Sequence, residues 1–267
     1  MAEGSQPREP QPALPGRDRV YPAVVAAAKT GFRLLGNKIT MTGTQHVPIS
    51  GGALLAFNHV SYVDFVYGGL AAQPSKRLVR FMAKRELFDH RWTGPLMRSL
   101  HHIEVDRADG VASFRRAVDF LRAGEVVGIF PEATISRAME LKDLKTGAVR
   151  IAAEAGVPLV PVALWGTQRL MTKDHPRDFS RGTPIRIVVG PAQHPAGLDP
   201  VAETAELKAA MDQVLDTAVT TYADAHLHPG AWWVPARRGG AAPSLAEAER
   251  LDAEEKRARA RRRRSAG

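Results

Sequence analysis

The chain has 267 residues, 44% of them hydrophobic, and a formal net charge of +9; this is enough for one principal domain with an ordinary core. It contains no cysteine, which excludes disulfides, thiolate metal ligands and a cysteine nucleophile. No uncharged apolar run approaches the roughly 20 residues needed to span a bilayer, and the Pro-rich, charged start from Gln6 to Arg19 lacks the apolar stretch of a secretory signal.

Residues 1–19 are expected to be disordered. From Val20 onward, Tyr21, Val24, Val25, Ala28, Phe32 and Leu35 fall on one stripe at helical spacing, with Lys29, Thr30 and Arg33 off it. This predicts an amphipathic helix within 20–37, with Pro22 in its first turn. Such a helix either packs on the domain or dips into a lipid headgroup layer. Strands are then predicted near 39–42, 53–57, 79–83, 102–105, 126–130, 159–164 and 185–189, and helices near 62–72, 85–100, 111–123, 146–155 and 203–226. The alternation argues an α/β domain over 38–230, with a central mixed sheet flanked by helices. Val126 to Phe130 is apolar throughout, as expected of a strand buried on both faces.

Residues 231–267 read as a linker and a basic, disordered tail. Lys256 to Gly267 carries seven positive charges and no negative ones, so without it the net +9 falls to +2. The charge therefore belongs to the tail, which follows a helical-looking, acid-rich piece from Ser244 to Glu255. An anionic lipid surface suits it better than nucleic acid, because no aromatic residues interleave the arginines.

The densest chemistry lies at 58–64, Asn-His-Val-Ser-Tyr-Val-Asp. A histidine aimed by a carboxylate is a minimal general base for deprotonating an alcohol. The spacing alone proves little, since His101/Asp106 and His194/Asp199 repeat it. Context separates the three. His101 and Asp106 flank a strand-like alternation, and an odd separation along a strand turns side chains to opposite faces. His194 and Asp199 enclose Pro195 and Gly197, which read as a surface loop. His59 follows a buried-looking strand, and Ser61 is a candidate helix N-cap that puts Asp64 in the first turn.

A second constellation, Phe130-Pro131-Glu132-Ala133-Thr134-Ile135-Ser136-Arg137, follows the buried strand at 126–130. Pro131 stops that strand and Glu132 emerges at its carboxyl end, where open α/β sheets bind ligands. No His-Glu-x-x-His pair is present, and His101/His102 and His226/His228 read as ordinary polar residues. No metal is expected.

Taken in order, Asn-His-x-x-x-x-Asp, Lys84-Arg85-Glu86-Leu87-Phe88, Ile103-Glu104-Val105-Asp106-Arg107, Phe-Pro-Glu-Ala-Thr and Val157-Pro158-Leu159-Val160-Pro161-Val162-Ala163 resemble the blocks of the glycerolipid acyltransferase family. The resemblance covers about residues 38–168, and the nearest type is similar to 1-acylglycerol-3-phosphate acyltransferase. It implies transfer of a fatty acyl group from a thioester to the free hydroxyl of 1-acylglycerol 3-phosphate, giving phosphatidic acid. His59 would be the base and Asp64 its orienting partner. Asn58, Lys84, Arg107, Glu132, Thr134, Arg137 and Lys145 would bind substrate, with Arg107 on the phosphate and Glu132 positioning the glycerol. No cofactor is implied, only an acyl-CoA or acyl carrier protein thioester as co-substrate. The implied partners are the lysophospholipid acceptor and a membrane surface with anionic lipid, at the cytoplasmic face of the cell membrane and without a transmembrane span.

One departure stands out. The family's third block usually reads Phe-Pro-Glu-Gly-Thr-Arg-Ser, whereas here Ala133 replaces Gly and Ile135 replaces Arg. The usual phosphate-binding arginine is missing, and Arg137 or Lys145 is the candidate substitute. Another lysophospholipid or a polyol is the alternative acceptor, and a nucleic-acid-binding protein led by its tail is the alternative of another class.

Overall fold

A computed structural model describes residues 18–106, 110–222 and 230–265. In chain order the elements are α1 (Tyr21–Leu34), β1 (Lys38–Thr42), β2 (Ala53–Phe57), α2 (Asp64–Gly68), β3 (Val79–Lys84), α3 (Arg85–Asp89), α4 (Thr93–Ser99), β4 (Ile103–Val105), α5 (Gly110–Arg122), β5 (Val126–Ile129), α6 (Gly147–Ala155), β6 (Leu159–Trp165), β7 (Pro184–Val189), α7 (Pro200–Thr220) and α8 (Leu245–Ser265). Seven strands form one sheet in the order β1-β7-β6-β2-β5-β3-β4. β6, β2, β5, β3 and β4 run parallel, whereas β7 lies antiparallel to β6 and carries β1 parallel to itself. The predicted mixed α/β sheet is therefore present.

Every residue of β2 is buried, which fits an apolar strand with helices on both of its faces. On one face α5, α6 and α7 pack around Leu54, Val127, Ala148 and Met211. On the other, α1 and α2 cover Leu55, Phe57 and Val162. The stripe of α1 lies inward: Tyr21 and Phe32 are buried, Phe32 stacks on Tyr67 at 4.3 Å between ring centroids, and the Tyr21 hydroxyl donates to the Val79 carbonyl at 2.7 Å. Packing thus accounts for the apolar face of this helix.

The structure corrects several boundaries. The single helix expected over 85–100 is two, α3 and α4. Pro95 has no N–H and its ring clashes in a helix interior, but it is tolerated in a first turn, which is where α4 places it. The helix expected over 62–72 is α2 followed by a short 3₁₀ turn at Gly69–Ala72. At the N-terminus, residues 1–17 lie outside the described residues. Asp18 is held in place by the guanidinium of Arg80, a residue only 1% exposed, through bonds of 2.9 and 2.7 Å.

The largest correction concerns 231–267, expected as a linker and disordered tail. Trp233 and Val234 are buried in the same core as α7, so the domain does not end near residue 230. The basic stretch continues α8 to Ser265. Two properties favour that helix: Ala, Glu, Lys, Arg and Leu are strong helix formers, and acidic residues toward the N-terminus with basic ones toward the C-terminus complement the helix dipole.

Candidate active site

Three parallel strands deliver the site. β2 leads into Asn58 and His59, its neighbour β5 leads into the loop of Glu132, and its other neighbour β6 leads into Gly166 and Thr167. All three loops leave the carboxyl edge of the sheet, so the turn holding His59 lies between the other two.

His59 Nδ1 lies 2.9 Å from Asp64 Oδ2. The same oxygen accepts the backbone N–H groups of Val60 at 2.8 Å and Ser61 at 2.7 Å, while Oδ1 accepts the Thr167 hydroxyl at 2.6 Å. Asp64 is fully buried. A carboxylate in that position is expensive unless its lone pairs are filled, and bonds to a charged acceptor contribute about 1.5–3 kcal/mol each. A carboxylate facing Nδ1 selects the tautomer that carries its proton there, leaving the Nε2 lone pair as the basic end. The ring packs on Phe130 at 4.4 Å between centroids, and the side chain keeps 22% of its surface open. The candidate base is therefore aimed, sheltered on one face and reachable.

Ser61 does not cap α2 as expected, since the cap position falls at Val63. Its hydroxyl accepts the Val63 N–H at 3.2 Å and donates to the Met171 carbonyl at 2.6 Å. Thr172 donates to the Val60 carbonyl at 2.6 Å. The segment 167–172 therefore straps the His59 turn from the side opposite Glu132.

Glu132 is a positioning residue. Oε1 accepts the His59 N–H at 2.7 Å and Oε2 accepts the Lys142 N–H at 3.0 Å, so both oxygens face backbone donors. Burial pushes its carboxyl up to about 7, against the pull of those two N–H groups. Ala133 sits at φ +61, the left-handed region that explains why glycine suits this block. Ile135, in place of the usual arginine, is buried at 3% exposure.

The remaining expected substrate contacts divide. Asn58 is corrected from a ligand contact to a lock between strands: its amide donates to the Leu164 carbonyl at 3.1 Å and accepts the Leu164 N–H at 2.7 Å. Thr134 accepts from Lys142 Nζ. Arg137 is buried and meets Asp174, Asp252 and Glu255; burial alone would lower its pKa, but these carboxylates raise it. Lys145 is exposed on the same loop and is tied by its N–H to the Pro131 carbonyl at 3.0 Å. Lys84 is exposed at the end of β3, separated from β2 by β5. Arg107 lies outside the described residues. The other His/Asp spacings do not form such a pair: Asp106 meets Arg85, and Asp199 caps α7 by accepting from Val201 and Ala202. Sequence reasoning missed Thr167, Lys142, Lys173, Asp252 and Glu255, because nothing local to His59 signals residues that arrive from distant elements.

Residues 38–165 match the model of the Acyltransferase family. The 1-acyl-sn-glycerol-3-phosphate acyltransferase of Bacillus subtilis is 30% identical over 201 residues, covering 75% of this chain and 95% of that protein. The chain belongs to the acyltransferase family. The chloroplastic 1-acyl-sn-glycerol-3-phosphate acyltransferase LPAT1 of Arabidopsis thaliana is 29% identical over 177 residues, 65% of this chain and 48% of that protein, so the chain spans about half of this plant relative. The fold is similar to the crystal structure of the 1-acyl-sn-glycerophosphate (LPA) acyltransferase, PlsC, of Thermotoga maritima, with a TM-score of 0.62 and 22% identity over 74% of this chain and 79% of that one. Within this acyltransferase, the His59–Asp64 pair lies inside the matched region.

Proposed function

We propose that this acyltransferase moves a fatty acyl group from a thioester to the free hydroxyl of 1-acylglycerol 3-phosphate, forming phosphatidic acid for phospholipid synthesis. The observation that carries the reading is the 2.9 Å contact of His59 Nδ1 with Asp64. His59 Nε2 takes the hydroxyl proton as the acceptor oxygen attacks the thioester carbonyl carbon. The tetrahedral intermediate collapses, the C–S bond breaks, and the imidazolium returns its proton to the departing thiolate. Asp64 stabilises the imidazolium between these transfers. The acceptor is itself the nucleophile, so no acyl-enzyme and no cysteine are required. The acyl carrier is coenzyme A or acyl carrier protein.

No helix among the described residues is long and apolar enough to cross a membrane. Both the acceptor and the product are membrane lipids, which supports work at a bilayer surface, peripherally and on the cytoplasmic side. The basic end of α8 supplies the attraction to anionic lipid.

The test is acyl transfer from labelled acyl-CoA and acyl carrier protein to a panel of lysophosphatidate, lysophosphatidylcholine, lysophosphatidylethanolamine and glycerol. Lysophosphatidate is expected to react fastest. His59→Ala is expected to reduce the rate by about 10²- to 10⁴-fold with the fold retained. Transfer that survives this substitution removes His59 as the base, and preference for an uncharged acceptor removes lysophosphatidate as the substrate.

A further inference from the structure

Beside the His59 turn lies a cation cluster, and each member of it is tied to that turn by hydrogen bonds, two through the preceding residue and one through Glu132. Arg137 follows Ser136, whose N–H donates to the His59 carbonyl at 2.7 Å. Lys173 follows Thr172, which is bonded to the Val60 carbonyl. Lys142 donates its own N–H to Glu132, which also holds the His59 N–H. The three cationic side chains are sheltered, at 8%, 10% and 11% exposure.

Two carboxylates of α8 fill this cluster. Asp252 meets Arg137, Lys142 at 3.1 Å and Lys173 at 3.0 Å. Glu255 meets Arg137 at 2.9 Å and Lys173 at 3.4 Å. Asp174 pairs with Arg137 from its rim. Three cations less Asp174 leave a charge of +2, which Asp252 and Glu255 balance. A phosphate monoester carries close to the same −2 at neutral pH and offers three acceptor oxygens.

We infer that α8 is an internal stand-in for phosphate: Asp252 and Glu255 occupy the Arg137–Lys142–Lys173 cluster, and the phosphate of the acyl acceptor displaces them to bind there. This rests on the proposed reaction, and it supplies the positive charge that Ile135 cannot. The helix is built to leave. Among its described side chains only Ala248 is buried, with Leu251 half-buried, so ion pairs rather than apolar burial hold it. Carboxylates 24% and 28% exposed stay within reach of water, so a dianion that offers more acceptor oxygens can exchange with them without leaving the sheltered cations unpaired. The basic half of the same helix, from Lys256 onward, favours release toward an anionic surface.

Glycerol 3-phosphate, the soluble headgroup of the proposed acceptor, is the probe. Calorimetric titration of the full chain and of the D252N/E255Q variant is expected to give a Kd about tenfold lower in the variant, as for a site that α8 covers about nine-tenths of the time. Hydrogen exchange of the unaltered chain is expected to quicken over 245–255 when glycerol 3-phosphate is added and to stay unchanged with glycerol. Equal Kd values in the two proteins overturn the inference. So do α8 amides that the phosphate leaves unchanged or slows, or that glycerol quickens equally. The exchange measurement needs no substitution, so a variant that fails to fold leaves the test intact. Neither readout involves acyl transfer. Displacement without transferase activity refutes the proposed reaction alone, and activity without displacement refutes this inference alone.

Discussion

Thr167 donates its hydroxyl proton to Asp64 Oδ1 at 2.6 Å across 103 residues of sequence. The bond fills the carboxylate oxygen that His59 does not use, and it ties the end of β6 to the turn after β2. Thr167→Val keeps the shape and removes the donor, leaving a buried charge short of one bond. The expected result is a fall in kcat/KM of about tenfold, equivalent to about 1.4 kcal/mol. Unchanged kinetics in that variant would show that Asp64 is held well enough without it.

Gly166 places Thr167. Its φ of +97 lies in the left-handed region, and a Cβ there would stand 2.2 Å from the Pro184 carbonyl oxygen. The obstacle is backbone, which cannot swing aside. Gly166→Ala is expected to destabilise by about 3 kcal/mol, read as a Tm lower by about 10 °C, with activity lost in parallel. A variant of normal Tm would mean that this turn is more compliant than its contacts imply.

Ala133 presents the opposite case. Its φ of +61 costs about 1 kcal/mol for a residue with a Cβ, which roughly offsets the extra chain entropy that glycine brings to the unfolded state. Ala133→Gly is therefore expected to leave Tm unchanged or raise it by a few degrees, whereas the same change in a helix lowers it. Thermal denaturation decides, and a clear loss of stability counts against the strained loop.

Two buried groups give opposed pH dependences. Burial, with the Arg80 charge nearby, drives His102 from 6.5 down to about 4, and its Nδ1 accepts the Phe81 N–H at 3.0 Å, so the native state needs it neutral. The unfolded chain binds this proton first, so stability from His102 is lost as pH falls from about 6.5 to 4. Burial drives Glu132 the other way, from 4.5 to about 7, so its contribution is lost as pH rises through that window. The two effects largely cancel in the unaltered chain. In His102→Asn, stability measured by denaturant titration is expected to decline from about pH 4.5 to 7. In Glu132→Gln it is expected to rise between about pH 4 and 6.5. Identical pH profiles for the two variants would refute both assignments.

The basic end of α8 has a separate consequence. Each Lys or Arg close to an anionic leaflet contributes about 1 kcal/mol, screened by salt. Removing residues 256–267 is expected to reduce sedimentation with phosphatidylglycerol vesicles strongly at low salt and little at high salt. Equal sedimentation at low salt would move membrane attachment elsewhere on the surface.

How much was legible in the sequence follows from the range of the interactions involved. β2, β5 and β6 are continuous apolar runs bounded by turn residues, and α1 carries its stripe at helical spacing; these signals are local, and they emerged within a residue or two of the structure. His59 and Asp64 share one turn, so their pairing was also readable once a buried strand could be placed before them. The roles of Asn58 and Glu132 were not. A polar side chain in a motif looks the same whether it faces substrate or a neighbouring strand's backbone, and only the parallel packing of β2 between β5 and β6 gave them to Leu164, His59 and Lys142. The C-terminal stretch was misjudged for a similar reason. Its composition fixed its charge and its helical tendency, but whether such a segment docks depends on finding opposite charges, and the loop at 131–145 and the strap at 167–173 assemble those only in three dimensions. Composition, periodicity and turn chemistry therefore set the elements and the His59–Asp64 pairing, while the partners of each buried charge were decided by tertiary contacts, because electrostatic pairing acts through space and leaves no periodicity along the chain.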